Sequence, residues 1–138
     1  MGFSVANYGF HSSWGTGKEV DLVAFPESED WFLLIEVTER EPDLNNKMTK
    51  LSTRTKEIQH AAPEYLAYPV MVTTCVSDVI NKSDRMKAAT DLISLITADE
   101  LDHLFELVVE GATPEKIRDF LEQYIPKGQE PFQDRWPR

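Results

Sequence analysis

The first forty residues carry the hydrophobic pattern of β-strands. Apolar positions alternate or run together at 2–10 and 19–25, and a turn-rich stretch at 12–17 separates the two segments. A second turn at 26–30 precedes residues 31–38, which are apolar on both faces and are therefore typical of a central strand covered by helices. We expect these three strands to form a meander.

The hydrophobic period changes to that of a helix at Asp43. Apolar residues recur every three or four positions to about Ala62, and Pro63 helps to end the helix. The positions expected to face the core are Met48, Leu51, Thr55, Ile58 and Ala62. A continuous apolar run at 69–76 then predicts a buried strand, so the chain leaves the meander through a helix and enters a further strand.

A second helix, a strand and a third helix follow. Residues 81–91 predict a short helix, and residues 92–96 predict another buried strand. The inward positions of the short helix are expected to be Met86, Ala88 and Ala89. Thr97 and Glu100 then have the spacing of a capping box at the start of the third helix. The apolar stripe expected on that helix is Leu101, Leu104, Phe105 and Val108.

The last predicted helix begins at Thr113 and Pro114, because threonine caps helix N-termini and proline is tolerated at the first helical position. It is expected to run to Pro126 with Ile117, Phe120, Leu121 and Tyr124 inward. Strands and helices that alternate after a meander predict an α/β fold with a mixed central sheet of about five strands flanked by helices. We expect residues 1–126 to form a single domain and residues 127–138 to form a polar C-terminal tail.

The chain of 138 residues is strongly acidic. Fourteen Lys and Arg residues stand against 24 Asp and Glu residues, which gives a formal charge of −10. The field of such a chain repels phosphate backbones, which disfavours a general role in coating nucleic acids. The helix after Thr97 is especially acidic and contains Asp99, Glu100, Asp102, Glu106 and Glu110. This face is expected to be solvated and to keep DNA away.

Cysteine content and hydropathy predict a cytoplasmic protein. Cys75 is the one cysteine of the chain, so an intramolecular disulfide cannot form, and it lies in an apolar run where a small buried side chain is expected. The N-terminal residues lack a cationic region followed by an apolar one, and no segment approaches the roughly 18 apolar residues that span a bilayer. We expect no association with membranes.

Two carboxylates lie within apolar strand segments. Asp21 is flanked by Val20 and Leu22, and Glu36 lies in the run 33–37, where burial of an unpaired charge costs several kcal/mol. If the two strands are antiparallel neighbours, the two carboxylates come close together, and Thr38 points to the same face as Glu36. Close carboxylates repel each other unless a cation lies between them, and their hard oxygen atoms suit Mg²⁺ or Mn²⁺.

An alternative explains Asp21 and Glu36 without a metal. Each carboxylate would sit at the end of its strand, either solvated or paired with a neighbouring Lys or Arg side chain, since structural ion pairs also bury carboxylates. Spacing along the chain does not decide between the two interpretations.

The segments 19–25 and 34–38, with the helix, strand, helix and strand that follow, resemble the PD-(D/E)XK nuclease superfamily, which has the restriction-endonuclease-like fold. The resemblance covers about residues 2–110 and implies that Asp21 and Glu36 are Mg²⁺ ligands. Thr38 stands where the family pattern has its catalytic Lys, although some members of the superfamily replace or relocate that residue. The leading helix of the family is absent before residue 2, so a minimal or truncated domain is expected.

The helix after Glu36 offers substitutes for the missing Lys. At about 100° per residue, Lys50 and Arg54 lie about 300° and about 340° around the helix from Lys47, so the three residues form one basic stripe. Such a stripe could contact a DNA backbone, with Lys50 or Lys47 in the role of the displaced Lys. Glu57 and Gln59 are further candidates on the same helix. A solvated helix face remains the alternative for the stripe.

Two functions are consistent with these residues. The first is a metal-dependent DNA endonuclease, or a nuclease-like domain that hydrolyses phosphodiester bonds, with Asp21, Glu36, Thr38 and Lys50 at the catalytic site and Mg²⁺ or Mn²⁺ as cofactor. The second is a catalytically inactive module of the same fold that binds a protein partner through its sheet edge or its acidic helices. The net charge of −10 and the presence of Thr38 in place of Lys favour this second function. A homodimer is compatible with both functions.

Overall fold

The computed structural model describes residues 2–6, 22–27 and 29–127, which form a five-stranded sheet with helices packed on it. The strands are β1 (Phe3–Ala6), β2 (Leu22–Pro26), β3 (Trp31–Thr38), β4 (Leu66–Thr73) and β5 (Ser94–Ile96). The helices are α1 (Lys47–Ala61), α2 (Lys82–Thr90), α3 (Ala98–Val109) and α4 (Pro114–Glu122). Two short 3-10 turns, Leu44–Asn46 and Ser77–Val79, precede α1 and α2.

The strands lie in chain order across a mixed sheet. β1 pairs antiparallel with β2, and β2 pairs antiparallel with β3, as expected of a meander. β3 and β4 are parallel, and so are β4 and β5, because α1 and α2 return the chain to the starting edge before each new strand. The predicted α/β class and the mixed sheet of about five strands are confirmed.

The sheet separates two hydrophobic layers. One layer contains side chains of α1, α2 and the sheet, namely Val23, Leu34, Met48, Leu51, Ile58, Met71, Ile80, Ala88, Ile93 and Leu95. The other lies under α4 and contains Ala24, Trp31, Leu33, Val70, Ile96, Ile117, Phe120 and Leu121. Leu33 and Leu34 are both buried but belong to different layers, because successive strand residues point to opposite faces. We call these the α1 layer and the α4 layer.

Strand β3 has the predicted limits, whereas β4 is displaced from its prediction. β4 begins at Leu66 rather than at Pro69, and it ends at Thr73 rather than at residue 76. Pro69 is accommodated inside the strand because β5 pairs with β4 only from Val70 onward, so the missing N–H lies where β4 has one neighbouring strand.

Helix α2 and the turn that follows it differ from the prediction in which residues are buried. Ala88 of α2 is buried as expected, but Met86 is exposed and Asp84 is buried one turn before Ala88. Leu92 was predicted to be in a strand, but it has a φ of 56° and lies in the turn that ends α2, so β5 starts at Ser94. Leu92 is 65 % exposed at this turn rather than buried in the sheet.

Helix α3 has the predicted capping box, but the predicted apolar stripe is only partly covered. The Thr97 N–H donates to Glu100 Oε1 at 2.9 Å. Leu101 and Leu104 pack against the α4 layer together with Leu107, whereas Phe105 and Val108 are exposed. The expectation that those two residues face the core is therefore wrong.

Helix α4 is confirmed at its N-terminus and along its inner face. Thr113 Oγ1 accepts a hydrogen bond from the Lys116 N–H at 3.3 Å, and Pro114 occupies the first turn. Ile117, Phe120 and Leu121 are buried as expected, and the helix ends at Glu122. The segments 7–21 and 128–138, which include the predicted turn at 12–17 and most of the predicted tail, lie outside the described residues. Among the described helices, none is long and apolar enough for a membrane span.

Candidate active site

Glu36 lies on β3, two residues before the strand ends, and its side chain is half buried. It shares a face with Phe32 and Leu34, both of which pack in the α1 layer, because every second strand residue points the same way. In the parallel pairing with β4, Glu36 is opposite Met71. The carboxylate is therefore on the α1 side of the sheet, at the carboxyl end of the strand.

Asp21, the proposed partner of Glu36, lies outside the described residues. The described register of β2 and β3 ends with Leu22 opposite Ile35. These two residues are bonded in the chain to Asp21 and to Glu36, respectively. That the two carboxylates lie close together stays a prediction.

Thr38 is buried, and its side chain and carbonyl accept backbone hydrogen bonds where strand β3 ends. Its Oγ1 accepts a hydrogen bond from the Arg40 N–H at 3.1 Å, and its carbonyl accepts one from the Thr74 N–H at 3.1 Å. Only 5 % of Thr38 is exposed. Side chain to backbone bonds of this kind are common where a strand turns away from its sheet. Thr38 therefore has a structural role at the position where the resemblance implies a catalytic Lys.

A polar cleft of about 580 Å³ lies between the end of β3 and the start of α1. Three charged residues line it, namely Glu39, Arg40 and Lys47. Sequence reasoning missed Arg40, although it lies only four residues after Glu36 and its position beyond the strand end was a signal. Arg40 and Lys47 give the cleft a local positive charge in an acidic protein.

The turn before α1 fixes the position of Lys47. Asp43 Oδ1 accepts hydrogen bonds from the Met48 N–H at 2.9 Å and the Thr49 N–H at 3.2 Å, which caps the helix. Asn45 and Asn46 have φ values of 58° and 60°, a left-handed conformation that asparagine tolerates better than most residues. The helix consequently begins at Lys47, beside the cleft.

The basic stripe predicted on α1 is divided between the surface and the interior. Lys50 is exposed and Lys47 is half buried, but only 1 % of Arg54 is exposed. Arg54 is on the inner side of the helix with Leu51 and Ile58, three residues before and four residues after it. Its long stem can cover apolar surface there, and its Nε lies 3.9 Å from Glu57 Oε1. The expectation that Arg54 extends a surface stripe is corrected, and the surface part comprises Lys47 and Lys50.

Gln59, a further candidate on α1, connects the end of this helix to β4. Its Oε1 accepts a hydrogen bond from the Ala67 N–H at 2.9 Å, and its Nε2 donates to the carbonyls of Tyr65 and Ala62. Both the oxygen and the nitrogen of the Gln59 side-chain amide are therefore hydrogen-bonded. Gln59 is therefore a structural link at the opposite end of α1 from the cleft.

Asp84 connects α2 to the turn that carries the cleft, and sequence reasoning did not identify it. Asp84 Oδ2 accepts a hydrogen bond from the Asp43 N–H at 3.4 Å. Burial raises the pKa of the Asp84 carboxyl, the Asp43 N–H lowers it, and the charges of Asp43 and Glu41 raise it further. Asn81 Oδ1 accepts a hydrogen bond from the Asp84 N–H at 2.7 Å, which caps α2 and places Asp84 in its first turn.

The predicted cofactor, Mg²⁺ or Mn²⁺, requires oxygen ligands from the protein. Among residues 2–6, 22–27 and 29–127, no group of three or more His, Cys, Asp and Glu side chains is placed to hold a metal ion. Glu36 is the described member of the predicted pair, and its hard carboxylate oxygens are of the type that Mg²⁺ and Mn²⁺ prefer. The donor chemistry of Asp21 and Glu36 is thus compatible with these ions.

No family model, curated protein or solved structure matches the chain.

Proposed function

We propose that the chain is a nuclease-like domain of restriction-endonuclease-like fold that hydrolyses phosphodiester bonds in DNA with Mg²⁺ or Mn²⁺ held by Asp21 and Glu36. The position of Glu36 carries the proposal. It is a carboxylate on a central strand, on the same face as the buried Leu34, and the last two residues of that strand, Val37 and Thr38, line the polar cleft. The proposal continues the antiparallel register of Leu22 with Ile35 by one residue, which pairs Asp21 with Glu36.

The order and direction of the elements support the proposal. An antiparallel meander of β1, β2 and β3 is followed by α1 and the parallel strand β4, and then by α2 and β5. This is the order on which the resemblance to the PD-(D/E)XK superfamily rests. It leaves the carboxyl end of β3, which follows Glu36, beside the N-terminus of α1.

The residues of the chain have separate roles in this proposal. Asp21 and Glu36 would hold the cation, which would supply polarisation of a phosphate oxygen and activation of water. Lys47 and Arg40 attract the phosphate to the cleft against the net charge of the protein. Lys50 is exposed on α1, one turn after Lys47, and supplies the ammonium group that Thr38 lacks.

Cleavage of single-stranded and double-stranded DNA in Mg²⁺ and in Mn²⁺ tests the proposal. We expect Glu36→Gln and Asp21→Asn to lower the rate at least about 100-fold, because each removes one charged ligand from the cation. The matched control is Glu64→Gln, since Glu64 is an exposed carboxylate that follows α1. Cleavage by Glu36→Gln at the wild-type rate would reject the site.

The second candidate is a catalytically inactive module of the same fold that binds a protein. The observation that favours it is the burial of Thr38, because its hydroxyl is bonded to the backbone and no ammonium is present at that strand position. This candidate predicts that wild type neither binds Mg²⁺ at millimolar concentration nor cleaves any DNA. Calorimetric titration with Mg²⁺ separates the two functions.

A further inference from the structure

Helix α3 exposes a row of large apolar side chains that are not buried against the rest of the described chain. Phe105 is 68 % exposed, Val108 is 56 % exposed and Val109 is 67 % exposed. Exposed apolar residues on a protein surface are usually scattered singly. Here they are neighbours, because residues three and four apart lie side by side on a helix. We call these three residues the apolar row of α3.

An acidic row runs directly beside the apolar row. Asp102, Glu106 and Glu110 are spaced four residues apart, each one position after Leu101, Phe105 and Val109. The two rows adjoin on the helix surface because Asp102 and Glu106 are each three residues before a member of the apolar row, Phe105 and Val109 respectively. No Lys or Arg occurs between Ala98 and Glu110, so no side chain of the helix itself neutralises the acidic row.

The acidic row is unfavourable for α3 by itself. Like charges four residues apart destabilise a helix, and Glu106 and Glu110 stand near its C-terminal end, where the helix dipole disfavours anions. Asp99 and Glu100 differ, because they lie in the first turn and Glu100 completes the capping box. Electrostatics within the helix thus explain the acids at its start and leave those at its end unexplained.

We propose that the outer face of α3 binds an amphipathic helix of a partner protein that carries Lys or Arg residues beside its apolar stripe. A convex helix surface with rows at a spacing of four residues accepts the ridges of a second helix. The apolar row buries Phe105, Val108 and Val109 against the partner stripe, and the acidic row pairs with the cations.

Charge distinguishes this partner from other occupants. A second copy of α3 would bring two acidic rows together, and an anionic lipid surface would be repelled by the same row. The face is on the α4 side of the sheet, whereas Glu36 is on the α1 side, so the inference does not depend on the metal site.

Titration with designed peptides tests the proposal. The probe is a fluorescein-labelled helical peptide with Leu at a spacing of four residues and Lys in the adjacent row, and binding to the full chain is followed by anisotropy. We expect Phe105→Gln to weaken binding at least about tenfold, the size of effect seen when an interface anchor is removed. Val79→Gln, which replaces an exposed valine in the turn Ser77–Val79, should bind like wild type. Circular dichroism checks that each variant is folded.

A charge exchange gives a second measurement. A peptide with Glu in place of each Lys should bind wild type at least about tenfold more weakly than the probe, and the triple variant Asp102→Lys, Glu106→Lys and Glu110→Lys should reverse that preference. Equal binding of both peptides to wild type would overturn the proposal, as would undiminished binding of the probe to Phe105→Gln.

Three further results would assign the face to another occupant and so overturn the proposal. The first is a dimer in sedimentation equilibrium that Phe105→Gln dissociates. The second is Phe105-dependent binding of the full chain to phosphatidylserine vesicles. The third is probe binding by a chain that ends at Lys127 but not by the full chain, which would identify residues 128–138 as the occupant.

Discussion

Thr38 and Thr73 are opposite each other in the parallel pair of β3 and β4, and both bond to the backbone of Arg40. Thr38 Oγ1 accepts from the Arg40 N–H at 3.1 Å, and Thr73 Oγ1 donates to the Arg40 carbonyl at 2.7 Å. Thr73 Oγ1 also accepts from the Cys75 N–H at 3.1 Å. The two hydroxyls therefore fix the chain where it leaves β3 and hold Arg40 at the cleft.

Replacement of Thr73 by valine should destabilise the protein by about 1–3 kcal/mol, because a fully buried site would lose the partner of the Arg40 carbonyl and of the Cys75 N–H. Thr53→Val, at an exposed position of α1, is the matched control and should change stability by less than about 0.5 kcal/mol. Urea denaturation followed by circular dichroism measures both. Equal stability of the two variants would show that the Thr73 hydroxyl does not hold the strand ends together.

The sequence predicted those parts of the fold in which the local pattern and the tertiary packing agree. β3 has the predicted limits because it is apolar on both faces and follows a turn, and α4 begins where Thr113 and Pro114 indicate. Periodicity cannot tell whether an apolar stripe is covered, which is why Phe105 was expected to be inside. The shared partner Arg40 was missed because hydrogen bonds between strand ends depend on the sheet order.

The candidate site was predictable to a similar extent. The position of Glu36 in a buried strand is visible in the sequence, because a charge interrupts an apolar run there. Arg54 was assigned to the surface because a helical wheel placed it beside the apolar face, where a long side chain can turn either way. Asp84 gives no signal in the sequence, because its burial results from the packing of α2 beside the turn before α1.

The two left-handed residues that follow α2 and α3 predict opposite effects of substitution. Leu92 and Gly111 occupy equivalent positions, since the N–H of the next residue bonds five residues back to Ala88 and to Leu107, respectively. Leu92→Gly should stabilise the protein by about 0.5–1 kcal/mol, because the left-handed conformation is unfavourable for leucine and the side chain is exposed.

Gly111→Ala should destabilise the protein by about 1 kcal/mol through backbone strain alone, since a Cβ atom at this position would meet no neighbour within 4 Å. Both variants are compared with wild type by chemical denaturation. A destabilised Leu92→Gly would indicate that the leucine side chain contributes more than the strain of its backbone.

Asp84→Asn should stabilise the protein at neutral pH. The pKa of the Asp84 carboxyl is raised by burial and by the charges of Asp43 and Glu41, so its ionised form costs stability above that raised pKa. As the pH falls from the raised pKa to the ordinary value of 3.8, the folded protein binds a proton before the unfolded chain does, and the cost of the ionised carboxylate decreases. The stability advantage of Asp84→Asn over wild type should therefore be lost below pH 3.8.

Thermal unfolding of wild type and Asp84→Asn between pH 7 and pH 3 measures this difference. Asp78→Asn, which removes one carboxylate at an exposed position, is the matched control. An Asp84→Asn variant that is less stable than wild type at pH 7 would mean that the Asp43 N–H stabilises the ionised carboxylate by more than burial costs.

Lys47 and Lys50 should contribute to the salt dependence of DNA binding, if DNA lies along the start of α1. Replacement of both by Gln removes up to two phosphate contacts, and each contact contributes a slope of about −0.9 to a plot of log affinity against log salt on duplex DNA. The slope should therefore become shallower by up to about 1.8. Lys116→Gln with Lys127→Gln is the matched control, because these lysines lie at α4 and beyond it. An unchanged slope would assign Lys47 and Lys50 to solvent.

If Asp21 and Glu36 hold Mg²⁺ as proposed, Glu36→Gln should remove the stabilisation that Mg²⁺ gives to the folded protein. In chelator, the variant should be as stable as wild type or more stable, because a pair of close carboxylates without a cation repels. At a Mg²⁺ concentration of 100 times the dissociation constant, a ligand of the folded state adds about 2.7 kcal/mol, which raises the melting temperature of a domain of this size by several degrees. Wild type and the control Glu64→Gln should show this increase, and Glu36→Gln should show almost none. Equal shifts in all three proteins would place any Mg²⁺ site elsewhere and leave Glu36 without a role in metal binding.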